Sequence, residues 1–248
     1  MINFYREHYS REPVAAVCAA VSGGADSMSL LIMASEWAAK NNLQIFCITV
    51  DHKLREESAA EAEFVGNFCK SLQIGHEIAV WNANKETIGQ GKLENLAREA
   101  RYRLISEFCE RNSIPILFTG HTWNDQLETF EMRKKFGSSP RGLAGMSRIR
   151  SLGDRVKLLR PMLHFTKSYL EDFLRSKNIA WKIDPMNDRD CFLRVVCRKE
   201  ILKRSEAANM KISEEIMRLG KIRSETEKQA VVFLKKFCKF SDGALILE

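Results

Sequence analysis

Three observations predict an α/β fold, with a doubly wound, mostly parallel sheet and a small C-terminal helical extension. Short apolar runs alternate with amphipathic segments through the first 120 residues, the pattern of βαβ units whose sheet is covered on both faces. The ends of these runs carry glycine, serine, aspartate and histidine, and open parallel sheets bind ligands beyond the carboxyl ends of their strands. Past residue 205 the pattern stops, and Ser213–Phe237 reads as one long charged helix with an apolar stripe.

The elements follow in order. "PVAAVCAAV" (Pro13–Val21) is the first strand, and Ser27 to about Lys40 is helical. "LQIFCITV" (Leu43–Val50) is the second strand, followed by a helix over Ser58–Leu72. "HEIAVW" (His76–Trp81) is the third strand, and Leu93–Asn112 is an amphipathic helix. "IPILFTG" (Ile114–Gly120) is the fourth strand, with a helix from about Asp125 to Phe136. "GSSPRGLAGM" (Gly137–Met146) has the composition of a loop. Arg155–Leu163 is extended, and Thr166 caps a helix running to Asn178. "DPMND" (Asp184–Asp188) is a turn, since a proline disfavours helix at the residue before it. The weakest boundary lies near Ser205–Lys211, giving domains 1–205 and 206–248.

The 248 residues are 45% hydrophobic and 29% charged, the balance of a soluble globular protein with a substantial core. Neither a membrane span nor a secretory leader is expected, and seven scattered cysteines without a C-x-x-C pair read as reduced thiols in the cytoplasm. The net charge of +7 is uneven. Arg133–Lys211 holds 20 Lys and Arg against 8 Asp and Glu, leaving 19 against 24 elsewhere. Such a basic segment suggests a polyanionic partner, against the alternative of a solvated basic face.

The strand exits carry the chemistry. The first opens into Ser22-Gly23-Gly24-Ala25-Asp26-Ser27, the second into Asp51-His52-Lys53, the third into Trp81-Asn82 and the fourth into Thr119-Gly120-His121. At the first, glycines let the backbone approach an anion, and the N–H groups of the following helix point towards it. The Ser22 and Ser27 hydroxyls suit phosphate oxygens, and Asp26 suits either a hydroxyl or Mg²⁺. The Lys-Ser/Thr of a Walker A loop is missing. The loop therefore fits the pyrophosphate end of an ATP cleaved between its α- and β-phosphates. Asp26 has the alternative of capping the helix, and His52 and His121 that of structural hydrogen bonding.

"SGGADS" resembles the SGGxDS loop of the PP-loop ATP pyrophosphatases. Within that superfamily, "VDHKLREESAAEAEFV" (Val50–Val65), "LENLAREARYRL" (Leu93–Leu104) and "GHTWNDQLET" (Gly120–Thr129) resemble, in order, the motifs of tRNA(Ile)-lysidine synthetases. "GSSPRGLAGM", "LLRPML" (Leu158–Leu163), "DPMND" and "RVVCR" (Arg194–Arg198) continue the order, so the resemblance covers about Val14 to Leu202. It implies an adenine nucleotide α-hydrolase-like sheet in domain 1–205. It also implies a reaction: ATP adenylates the C2 oxygen of the wobble cytidine in a tRNA(Ile) with a CAU anticodon. The ε-amine of free L-lysine then displaces AMP to give lysidine.

The implied nucleotide-binding residues are Ser22, Gly23, Gly24, Ala25, Asp26, Ser27, Asp51 and His52, with Asp26 as the Mg²⁺ ligand. The implied catalytic residues are Asp26, Arg101, His121 and Asp125. His121 and Asp125 are four residues apart at the entrance to a helix, so one turn could bring both to the same face. Arg141, Arg194 and Arg198 are the expected tRNA contacts, a homodimer is the assembly considered, and no membrane partner is expected. Two positions depart from the pattern. Asn124 replaces the first aspartate of the signature, and Phe136 stands where the family usually has arginine. Relative to many family members the chain is short at its C-terminus, so RNA contacts made by further domains are expected to be reduced or supplied otherwise. The alternatives are a tRNA-thiolating sister enzyme, disfavoured by the absence of C-x-x-C, and a degenerate, non-catalytic tRNA-binding protein, disfavoured by the intact loop.

Overall fold

The apolar runs become strands and the amphipathic segments pack on both sides of them. The computed structural model describes residues 14–53, 57–82, 90–183, 192–241 and 244–247; the turn expected at Asp184–Asp188 lies outside these. The elements begin β1 (Ala16–Ala20), α1 (Ala25–Lys40), β2 (Gln44–Asp51), α2 (Glu57–Ser71), β3 (Gly75–Val80), α3 (Gln90–Arg111) and β4 (Ile116–Thr119). They continue with α4 (Trp123–Lys135), α5 (Pro140–Leu143), β5 (Ile149–Leu152), β6 (Val156–Leu159), α6 (Lys167–Ser176), α7 (Phe192–Lys203), α8 (Glu206–Phe237), β7 (Cys238–Ser241) and β8 (Ala244–Leu247).

Six strands form one sheet in the order β3-β2-β1-β4-β6-β5. All neighbours are parallel except the β5–β6 hairpin at one edge. Alternation along the strands divides the core in two. Val17 and Ala19 face one side with Leu31 of α1, Val65 of α2 and Leu170 and Leu174 of α6. Cys18 and Leu117 face the other with Ile105, Phe108 and Cys109 of α3. The winding reverses between β1 and β4, which makes that junction the switch point where such sheets bind ligands.

The chain groups into two compact units that do not follow its order. The first takes the chain up to Trp123 together with Arg148–Pro185, and the second takes Asn124–Ser147 together with the chain from Met186. The sheet belongs to the first. In the second, α4, α7 and α8 supply the buried apolar residues Leu127, Phe130, Cys197, Ile201, Ile216 and Leu219.

Several boundaries differ from the sequence reading. The expected loop at 137–146 contains the single turn α5, started by Pro140, whose fixed φ suits a first helical position. β5 was not anticipated, because Ile149-Arg150-Ser151-Leu152 lacks strict alternation and its polar residues suit a sheet edge. Helix α8 begins directly after its N-cap Ser205, whose side chain accepts from the Ala208 N–H, rather than at Ser213. Asn209, which weakens the helical pattern there, is buried and donates to the Ile201 carbonyl (3.1 Å). The extension is not helix alone, since β7 and β8 pair as an antiparallel hairpin. Thr166 caps α6 as expected, accepting from the Tyr169 N–H (3.2 Å). Among the described residues no helix is long and apolar enough to cross a membrane.

Candidate functional site

Parallel pairing sets the strand exits side by side. Ala20, the last residue of β1, is level with Ile48 of β2 and Thr119 of β4, so the Ser22–Ser27 loop leaves the sheet between the exits of those two strands. The loop is self-supporting. The Ser22 N–H donates to the Ser27 hydroxyl (3.1 Å), which donates to the Gly24 carbonyl (2.9 Å), and the two serine hydroxyls lie 3.3 Å apart. The Gly23 carbonyl accepts from the Lys182 N–H (2.9 Å).

Gly23 has φ +89°, a conformation that side chains other than glycine rarely adopt. Gly120, across the switch point, is required for another reason. A Cβ there would come within 3.2 Å of the Asp26 carbonyl carbon and oxygen and 3.3 Å of the Ser27 Cα, so the β4 exit lies against the first turn of α1.

Helix α1 has Gly24 at its N-cap and no side-chain cap, so Asp26 is a first-turn residue rather than the cap. Its carboxylate lies 3.8 Å from the Lys167 ammonium. A helix N-terminus without a side-chain cap and a lysine beside its first turn fit a phosphate-bearing nucleotide, and the Asp26 carboxylate fits a divalent cation on it.

On the β2 side, buried Asp51 accepts from the Lys53 N–H (2.8 Å) and the Ser58 hydroxyl (2.6 Å), which pins the start of α2. His52 accepts from Arg101 Nε (3.1 Å), and its ring stands edge-on to Trp81 at 5.8 Å. Burial first, then the Arg101 charge, lowers the His52 pKa to about 4, with Asp51 opposing. His52 is therefore a neutral acceptor at pH 7, and its buried Nδ1 has no hydrogen-bond partner among the described residues. On the β4 side, Thr119 Oγ1 and His121 Nδ1 share a hydrogen bond of 3.0 Å.

The first unit thus brings together Ser22–Ser27, Asp51, His52, Arg101 and His121. Asp125 stands in the first turn of α4. That helix begins at Trp123, so His121 precedes it.

The three arginines expected on RNA all have carboxylate partners inside the second unit. Arg194 (3.2 Å) and Arg198 (2.8 Å) meet the buried Glu128, and Arg141 meets Glu227 (3.0 Å). Glu131, one helical turn beyond Glu128 and also buried, pairs with Arg204 (2.6 Å). Phe136 is exposed, and Asn124 occupies the first turn of α4. Sequence reasoning missed Lys167, Glu128 and Glu131. The available signal for the glutamates was two acids, three residues apart, beside the apolar Leu127 and Phe130 on the same helix.

A family model described as a PP-loop domain matches residues 2–205. The chain belongs to that family. This PP-loop domain is also similar to curated tRNA(Ile)-lysidine synthases. That of Brucella anthropi is 37% identical over 255 residues, covering 98% of this chain and 55% of the relative. That of Ruegeria pomeroyi is 36% identical over 201 residues (81% and 47%), and that of Hyphomonas neptunium 40% over 185 residues (73% and 49%). The chain spans about half the length of these relatives. Among solved structures, the U34-tRNA thiolase NcsA of Methanococcus maripaludis, described with its [4Fe-4S] cluster, superposes with a TM-score of 0.69. It is 14% identical and covered over 77% of its length by 88% of this chain, a likeness in fold.

Proposed function

We propose that the chain ligates lysine to C2 of the wobble cytidine of a tRNA(Ile) bearing a CAU anticodon, consuming ATP and releasing AMP and pyrophosphate. The observation that carries this reading is the intact Ser22–Ser27 loop at the sheet's switch point, flanked on one side by His52 and Arg101 and on the other by His121. Similarity to lysidine synthases supports the choice of lysine and RNA as substrates, and the PP-loop match supports ATP use. Residues 1–205 form the proposed catalytic domain and 206–248 its extension.

Bound ATP, with Mg²⁺, supplies an adenylyl group that turns the poor C2 oxygen into a leaving group. The glycine loop and the α1 N-terminus hold the phosphates, and Gly23 keeps side chains out of their path. Asp26 would hold the cation, with the Lys167 ammonium 3.8 Å from its carboxylate. Arg101, fixed by neutral His52, offsets charge that develops as the phosphate bond breaks. Asp51 sets the loop after β2. Lysine's amine, with a pKa of ~10.4, costs about 4–5 kcal/mol to present neutral at pH 7. His121 and Asp125 are the proposed proton acceptor and lysine-orienting groups. Arg141, Arg194 and Arg198 are proposed RNA contacts. The reaction is placed in the cytoplasm. For a homodimer, the supporting feature is the exposed apolar run Val231–Leu234 on α8.

The test is AMP release from ATP by the full-length chain with a CAU transcript. Release that requires both RNA and lysine is the expected result. ATP–pyrophosphate exchange without lysine-dependent release would point instead to another nucleophile such as sulfur. Absence of exchange would leave an RNA-binding protein without catalysis.

A further inference from the structure

Helix α6 and the chain that follows it both reach the glycine loop. The helix packs on α1: Leu170 and Leu174 are buried in the cluster that holds Leu31, and the Ser29 hydroxyl donates to the Leu170 carbonyl (3.2 Å). Its first residue is Lys167, whose ammonium stands 3.8 Å from Asp26 in the first turn of α1. The helix ends in a reversal. Asn178 takes φ +54°, a conformation that asparagine tolerates, and the Ile179 N–H turns back to the Leu174 carbonyl (3.0 Å). Ile179 and Trp181 pack on the same core, and the chain between them returns to the loop.

Lys182 closes that return. Its N–H donates to the Gly23 carbonyl (2.9 Å), and its Cγ lies 3.7 Å from the place a Gly23 Cβ would take. Its own carbonyl is 4.0 Å from the corresponding place on Gly24. Main chain and stem are therefore set against the two glycines of the loop. The side chain is exposed, and its ammonium stands over the Phe64 ring of α2, 5.1 Å from the centroid. A cation–π contact at an exposed site is a weak hold. A lysine ammonium is a point charge on a flexible stem, so the bonds beyond Cγ can swing it from the ring onto an anion at the loop. Cleavage of ATP between its α- and β-phosphates builds charge on the departing pyrophosphate, and cations placed beforehand where that charge appears favour the step. Lys167 stands by Asp26 and Lys182 by Gly23, so residues on either side of one helical hairpin supply positive charge to the same loop.

We propose that Lys182 is a pyrophosphate-binding residue, its ammonium leaving the Phe64 ring for the β- and γ-phosphates of bound ATP. This rests on the reading of the loop as an ATP site and adds to it a residue far from the loop in the sequence. The other source of the same chemistry is a phosphate of the RNA backbone.

The experiment titrates the full-length chain, with Mg²⁺, against a nonhydrolysable ATP analogue, inorganic pyrophosphate, AMP and a CAU-anticodon tRNA transcript. The variants are Lys182→Met and Lys182→Arg. Both keep the main-chain N–H that holds Gly23, so the anchor of the loop is untouched and only the ammonium is tested. Lys182→Met is expected to weaken the ATP analogue and pyrophosphate about 10-fold, the effect of one charge-assisted hydrogen bond, and to leave AMP and the transcript unchanged. Lys182→Arg should recover most of the loss. Unchanged binding of the ATP analogue and pyrophosphate in Lys182→Met overturns the proposal. So does an equal loss for AMP, which would mean a disturbed loop, or a loss confined to the transcript, which would place the ammonium on RNA. Lys182→Arg as weak as Lys182→Met would overturn it too, since charge would then not be what binds. Failure of the functional reading looks different: the wild-type chain would show the Lys182-dependent pyrophosphate binding yet release no lysine-dependent AMP. Lysine-dependent release with unchanged binding in Lys182→Met would remove this residue alone, and a wild-type chain that binds neither the analogue nor pyrophosphate would overturn both.

Discussion

Both compact units pair arginines with carboxylates, but at different depths. In the second, cations meet carboxylates: Arg194 and Arg198 share Glu128, Arg204 takes Glu131, Lys135 takes Glu200 and Arg141 takes Glu227. In the first, Arg103 pairs with Glu107, Arg111 with Glu77 and Arg175 with Glu171 and Asp172, all at the surface, while Arg98 and Arg150 stand over the Tyr102 ring and Arg101 donates to neutral His52. A count along the sequence does not distinguish a cation held by a buried carboxylate from one paired at the surface. The fold does: Glu128 and Glu131 are buried, so the arginines they hold close a structure, and the basic excess of Arg133–Lys211 is by itself weak evidence for a polyanion.

The contrast can be broken in several places. The largest expected effect is catalytic. Asp26→Asn keeps the shape of the first turn of α1 but removes the charge, and should lower lysine-dependent AMP release about 100-fold or more with little change in the melt. Full activity in this variant would remove Asp26 from the site. The largest structural effect belongs to the second unit. Glu128→Ala strips two arginines of their shared carboxylate and should destabilise the protein by about 2–3 kcal/mol. Loss of a fully buried partner costs ~3–5, and these arginines are roughly a quarter to a third exposed. A denaturant midpoint equal to that of wild type would show that the pairing is incidental.

Gly145→Ala probes the same unit through its backbone. Gly145 has φ +62°, and a Cβ would lie 2.6 Å from Gln126 Oε1, whose amide holds both the N–H and the carbonyl of Met146. Its carbonyl also accepts from Arg133 and Arg223. Strain and overpacking together should cost about 1–3 kcal/mol, read from the same unfolding curve.

The smallest effect is a pH slope. His52 has its pKa lowered to about 4 in the folded chain, so as pH falls below about 6.5 the unfolded state takes up the proton first. Stability is then lost between about pH 6.5 and 4, and His52→Gln should flatten that decline. His76 and His164 are also lowered by burial and keep part of the slope in the variant, so the readout is the difference between the two proteins. Identical slopes would contradict a neutral His52.

How much of this was legible in the sequence follows from the range of each interaction. The strands β1, β2 and β4 and the helices around them are written in local apolar pattern, and the glycine loop is contiguous, so both were readable. β5 was not, because four residues with two polar positions carry almost no periodic signal and its existence depends on pairing with β6. Lys167 could not be linked to Asp26, since 140 residues separate them and only the packing of α6 against α1 joins them. Arg194 and Arg198 were visible as a pair one turn apart, but their charge was misleading without Glu128, which sits 70 residues earlier. The His121–Asp125 spacing equals one helical turn, but the local sequence alone does not place the helix start at Trp123, after His121.

The central claim is that the Ser22–Ser27 loop serves amine transfer onto a wobble cytidine, and labelled lysine tests it most directly. The full-length chain is incubated with ATP, radiolabelled lysine and tRNA transcripts that differ only at the wobble base. Label in the CAU transcript and none in its UAU counterpart is the predicted result. Equal label in both, or none in either while ATP and RNA bind, would contradict the account.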